Sequence, residues 1–201
     1  VFGYGKLGGI ELGYSSDLDL VFVSDSAAQG STDGERPLDN SVFYTRLGQR
    51  MIHIMEARMT LGQLYEVDMR LRPDGDSGML VPTLDGFARY QVDDAWTWEH
   101  QALVRARFAA GDAEVAARFE EIRREILCLP RDKKELAAEV VKMRTRMREH
   151  LLKGETGNGF NLKQSGGGMV DIEFMVQYAV LAEAHQHPEL AHWSDNIRLL
   201  E

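Results

Sequence analysis

In the first part of the chain apolar residues come in short runs between glycine-rich polar stretches, and from about Thr83 onward they recur at helical spacing. Val1-Phe2-Gly3 reads as part of a strand, and Leu18-Asp19-Leu20-Val21-Phe22-Val23 as a second with a buried end. A polar, glycine-containing loop follows from Ser24 to about Pro37, after which Asp39 or Asn40 is placed to cap a helix. Phe43, Leu47, Met51 and Met55 share one face of that helix, so this face is expected to cover a sheet. From Val67 to Arg72 apolar and polar residues alternate strictly, which predicts another strand, ended by Pro73 and the loop Asp74-Gly75-Asp76-Ser77-Gly78.

Beyond Thr83, helices are expected over Trp96 to Ala109, Glu114 to Leu127, Lys133 to Leu152 and Asp171 to Ala184, with a glycine-rich loop from Gly154 to Gly168. The shift in pattern predicts an α+β fold in two units: a mixed sheet covered by helices over 1–91, then an all-α bundle over 92–201. The first residues read as already in a strand and the last as still in a helix, so the chain is expected to be a piece of something longer.

The composition suits a globular protein, with 44% hydrophobic and 27% charged residues among 201. Acids outnumber bases, 32 to 23, and a formal charge of -9 repels a polyanion, which argues against a nucleic-acid partner. Cys128 is the single cysteine, so no internal disulfide forms and a reducing cytoplasm is the expected location. No apolar run approaches the roughly 18 residues of a membrane span, so no membrane association is expected.

The chemistry gathers around acids. Residues i and i+2 of a strand face the same way, so Asp17 and Asp19 should project together. Two carboxylates held close repel, and a divalent cation relieves that repulsion; Mg²⁺ takes a few carboxylates and keeps positions open for phosphate oxygens. Asp68, in the second alternating segment, is placed to complete such a site. Gly3, Gly5, Gly8 and Gly9 allow a backbone to approach phosphates, with Lys6, Ser15 and Ser16 as donors, and Arg70 and Arg72 are expected on the face of Asp68, toward a polyphosphate. Singly, each has an ordinary explanation: Asp-x-Asp is commonly solvated surface, and Asp68 can pair with Arg70 or Arg72. The conjunction carries the reading. Gly3-x-Gly5-x-x-Gly8 also matches a dinucleotide-binding fingerprint, but only Gly9 to Tyr14 separate it from the serines before the next strand, too few for a crossover helix. His185 and His187 are spaced like strand ligands but fall at a helix end, where imidazoles suit the helix dipole.

Strand, Gly/Ser turn and Asp-x-Asp strand resemble the nucleotidyltransferase superfamily typified by DNA polymerase beta. Three segments go further: Gly3-Tyr4-Gly5-Lys6-Leu7-Gly8-Gly9 continued by Glu11 to Leu20, Tyr65-Glu66-Val67-Asp68-Met69-Arg70-Leu71-Arg72-Pro73, and Trp96-Thr97-Trp98-Glu99-His100-Gln101-Ala102-Leu103-Val104-Arg105-Ala106-Arg107. These resemble the bifunctional glutamine synthetase adenylyltransferase/adenylyl-removing enzymes, and the Gly-Tyr-Gly, Leu-Gly-Tyr and Trp-Thr-Trp-Glu-His-Gln stretches look like the adenylylating, C-terminal half. The resemblance implies that Asp17, Asp19 and Asp68 bind Mg²⁺, that ATP is the AMP donor, that a tyrosine of glutamine synthetase accepts it, and that a PII-type signalling protein regulates the reaction. It raises Arg105, and through Gly166-Gly167-Gly168-Met169-Val170-Asp171-Ile172-Glu173 also Asp171 and Glu173, as residues toward the nucleotide; helix capping or a contact between units is the alternative for the acids. Rival functions are adenylyl removal on the same scaffold, a nucleic-acid nucleotidyltransferase and a non-catalytic nucleotide sensor.

Overall fold

The structure is a computed structural model describing residues 1–25, 30–151 and 160–201. Four short strands, β1 Phe2–Gly3, β2 Leu18–Val21, β3 Val67–Asp68 and β4 Arg107–Phe108, form one mixed sheet in the order β3-β2-β1-β4 among the described residues. β1 is antiparallel to both neighbours, with Phe2 opposite Val21 on one side and Phe108 on the other. β2 and β3 are parallel, pairing Leu18 with Val67 and Asp19 with Asp68. A parallel pair needs a crossover, and helix α2, Asn40–Glu56, lies in that connection; it follows helix α1, Gly5–Gly8.

Alternation along β2 divides the core. Leu18, Leu20 and Phe22 join Met69 and Val81 in a buried cluster that α2 covers through Tyr44, Met51, Ile52 and Met55. Val21 belongs to the second cluster, with Phe2, Leu84, Phe87, Leu103, Phe119 and Val180. Side chains from both sides of Gln91 therefore share one core. Phe119 stacks on Phe2 at 3.7 Å between ring centroids, anchoring the central strand to the helices.

The helices that follow are α3 Leu84–Asp93, α4 Thr97–Val104, α5 Ala113–Leu127, α6 Lys133–Leu151, α7 Met169–Glu183 and α8 Asn196–Leu200. Their starts carry the expected chemistry: the Thr83 hydroxyl accepts from the Gly86 amide at 3.0 Å, and the Asp112 carboxylate accepts from the amides of Glu114 and Val115. Arg123 of α5, 1% exposed, donates to the carbonyls of Leu103, Val104, Ala191 and Trp193, so it ties the end of α4 to the Pro188–Ala191 turn. The α+β class holds, as a helix-covered mixed sheet followed by an all-α region. No described helix is long and apolar enough to cross a membrane.

Several local expectations change. Phe43 and Leu47 are exposed; the covered face of α2 is one residue over, centred on buried Gly48. A β-carbon at Gly48 would lie 3.1 Å from both Phe22 and Val81, so the missing side chain lets helix and sheet approach. The helix expected from Trp96 to Ala109 ends at Val104, and Arg107–Phe108 leaves it to pair as β4. The strand expected from Val67 to Arg72 stops at Asp68, because the chain turns at Arg70 and Leu71. Of the loops read over Ser24 to Pro37 and Gly154 to Gly168, residues 26–29 and 154–159 lie outside the described residues, as does Leu152.

Candidate active site

Parallel register places Asp19 and Asp68 side by side, and partners in adjacent strands present their side chains to the same face. Asp17 stands exposed just before β2 and, with Asp68 and Asp76, lines a polar cleft of about 420 Å³. Asp19 senses the other two acids. Asp19 is half-buried, and burial first, then the charges of Asp68 and Asp17, push its carboxyl above the usual range. Lys163 lies near enough to favour the ionised form.

Asp68 is held the other way. Its carboxylate accepts from Arg70 Nε at 3.0 Å through each oxygen, from Arg70 Nη2 at 2.5 Å and from the Arg70 backbone amide at 2.8 Å. That contact keeps the Asp68 carboxyl below its ordinary value. Three neighbouring carboxylates suit Mg²⁺ in kind. In this arrangement, however, no group of three or more His, Cys, Asp or Glu residues is gathered into a metal-holding cluster among the described residues, and a guanidinium lies on the carboxylate of Asp68.

The glycine turn is shaped by protein groups. Gly5 has φ +50, and a β-carbon there would sit 2.3 Å from Asp19 Oδ2, so only glycine allows the turn to close over that carboxylate. Gly8 and Gly9 face Arg105: added β-carbons would lie 1.7 Å from its carbonyl oxygen and 2.2 Å from Nη2. The α1 helix after Gly5 has four residues, not the crossover helix that the dinucleotide fingerprint requires. Arg105 is 3% exposed and donates to Gly5 O at 3.2 Å, Glu173 at 3.0 Å and Glu11 at 2.8 Å. Arg107 donates to the carbonyls of Gly8 and Leu7. On the other flank the Ser16 hydroxyl accepts from Gly13 N at 3.1 Å and from Lys6 Nζ at 3.5 Å, with Ser15 exposed beside it.

The remaining sequence candidates separate. Arg72 is buried, donates to Met69 O at 2.7 Å and pairs at 3.4 Å with Asp76, which lines the same cleft, and its charge helps to hold the Asp68 carboxyl down. Glu173 reaches the glycine turn through Arg105. Asp171 pairs with Arg144 at 2.5 Å and accepts from the Gly167 amide at 2.7 Å, and these contacts depress its carboxyl. Its place is at the start of α7 against α6. Sequence reasoning missed Glu11 and Lys163, which no local pattern marks. Glu99 is buried, accepts from Tyr90 and the Trp96 amide, and burial raises its carboxyl.

Comparison with known proteins gives this geometry a family. The chain is 58% identical over its whole length to the bifunctional glutamine synthetase adenylyltransferase/adenylyl-removing enzyme of Shewanella frigidimarina, covering 21% of that protein. It is 57% identical to the protein of that name from Shewanella loihica, covering all of this chain and 21% of the relative, and 53% identical to that of Pseudomonas putida, covering all of this chain and 22% of the relative. The chain thus spans about a fifth of the length of these curated relatives. The family model for glutamate-ammonia ligase adenylyltransferase matches residues 1–122, more than half of the chain, and together with the full-length identities this places the chain in the glutamate-ammonia ligase adenylyltransferase family.

Proposed function

We propose that this chain is the catalytic portion of a nucleotidyltransferase that moves AMP from ATP to a tyrosine of glutamine synthetase, with release of pyrophosphate. The observation that carries the reading is the registered pair Asp19 and Asp68, with Asp17 at the mouth of the same cleft. Asp17, Asp19 and Asp68 would hold Mg²⁺, which when bound supplies charge neutralisation for the triphosphate and lowers the pKa of the attacking hydroxyl. The chain's own groups do the positioning. The Gly5 turn buttresses the Asp19 carboxylate, and Arg105 braces the turn from behind. Lys6, Ser15 and Ser16 flank the acids on one side and Arg70 on the other, where they would meet phosphate oxygens. Gly8 and Gly9 shape the turn, Arg72 holds the segment after Asp68 through Met69 and Asp76, and Asp171 holds the start of α7 against α6. The nucleotide would lie between an α+β unit over 1–91 and a helical unit over 92–201.

The names of the relatives cover attachment and removal of AMP, and the sequence signatures favour attachment. A PII-type signalling protein is the proposed regulator. Radiolabelled ATP with Mg²⁺ and unmodified glutamine synthetase tests the assignment: label on the target supports it, and release of label from pre-modified target with phosphate would assign the removing activity instead. Asp19→Asn should abolish incorporation, by at least about a hundredfold, with the melting temperature retained. Undiminished transfer by that variant would refute the role given to the acids.

A further inference from the structure

Arg70 contradicts the simplest picture of a site waiting for an ion. Its side chain is 74% exposed, yet it lies along the Asp68 carboxylate with its backbone amide on the same group. Of the other arginines nearby, Arg105 is held by Gly5, Glu11 and Glu173, while Arg72 is buried and contacts Met69 and Asp76 through Nη1, with no hydrogen-bond partner on its Nε. Arg70 therefore acts as an internal counter-ion to Asp68. A guanidinium fork can donate to paired phosphate oxygens in place of paired carboxylate oxygens.

We propose that Arg70 is an exchange latch: in the free protein it blocks Asp68 against a divalent cation, and a polyphosphate draws it off, so that cation and polyphosphate bind cooperatively and the cation alone binds weakly. This rests on the acid cluster being the cation site proposed above. Linkage makes the effect reciprocal: a cation that frees Arg70 also leaves its fork available to the polyphosphate. A ligand without paired phosphate oxygens, such as adenosine, offers Arg70 no alternative partner and leaves the latch shut.

The experiment measures Mn²⁺ binding to this chain by electron paramagnetic resonance, without turnover. Arg70→Met should bind Mn²⁺ about fivefold more tightly than the unaltered chain, the effect of an exposed ion pair near 1 kcal/mol. Arg70→Lys keeps the charge but loses the fork and should fall between the two. Lys163→Met removes a nearby charge that does not touch Asp68, and should shift binding less than Arg70→Met. A saturating non-hydrolysable ATP analogue should close the gap between Arg70→Met and the unaltered chain; adenosine should not. The latch is overturned if Arg70→Met binds Mn²⁺ no more tightly, or if Lys163→Met matches it. Asp19→Asn separates the two levels: if it weakens Mn²⁺ binding while Arg70→Met changes nothing, only the latch fails, and if it leaves binding unchanged, the cation site itself is misplaced. Arg70 is exposed, so melting temperatures of its variants should stay within a few degrees of the parent, confirming that folded proteins are compared.

Discussion

Asp171 and Arg105 show how a side chain's partners decide its role. Asp171 accepts from Gly167 N and Arg144, so folding holds it ionised and depresses its carboxyl. A depressed acid contributes its stability above the unfolded-state value, near about 3.9, and loses it as pH falls through the native value. Asp171→Asn should therefore cost about 1 kcal/mol at pH 7, and the difference from the parent should shrink toward zero as denaturant titrations move down in pH below about 4. Arg105 makes contacts that a lysine cannot copy, since one ammonium cannot span Gly5 O, Glu11 and Glu173 in their fixed directions. Arg105→Lys should lower kcat for AMP transfer about tenfold or more through the displaced Gly5 turn, with KM for ATP changing less. Asp17, Asp19 and Asp68 were legible in the sequence because a strand's alternation and a glycine turn are local signals. The partners of Arg105 were not, because Glu11 lies 94 residues away along the chain and Gly5 lies 100 away.

At the scale of elements, the existence of α2 followed from its periodicity, and its orientation did in part: Met51 and Met55 pack on the sheet as expected, while Phe43 and Leu47 do not. Apolar residues at Phe43 and Leu47 pointed to one face, but a glycine carries no hydrophobic signal, and Gly48 marks the closest approach to the sheet. Gly48→Leu should force Phe22 and Val81 apart and cost about 1–3 kcal/mol, whereas Phe43→Ser on the exposed face should stay within about 0.5 kcal/mol, both read from thermal or denaturant melts. The unforeseen β4 has a similar cause. Arg107-Phe108 continues a helical pattern in sequence, and only the open edge of β1, with Phe2 and Phe108 ring centroids 5.9 Å apart, turns it into a strand.

Across the whole molecule, Arg123 links regions that no local pattern connects. Replacing it by Met would strand the carbonyls of Leu103, Val104, Ala191 and Trp193 in the interior. The expected cost is about 3–5 kcal/mol, with amide exchange in 188–193 accelerating first, as hydrogen-exchange mass spectrometry would reveal. The general architecture, a sheet giving way to helices, was readable from the change in periodicity; the shared core was not, because its contacts join distant stretches.

The pairing of β1 has a consequence for how the protein assembles. Phe2 must find Val21 nearby but Phe108 more than half the chain away, and closing a long loop demands entropy before its contacts repay it. Sheet completion therefore waits for the distant helices to collapse onto one another. The parallel pair that sets Asp19 beside Asp68 lies at the other end of the sheet and joins positions closer along the chain, so the alignment of the acids does not have to wait for that distant closure.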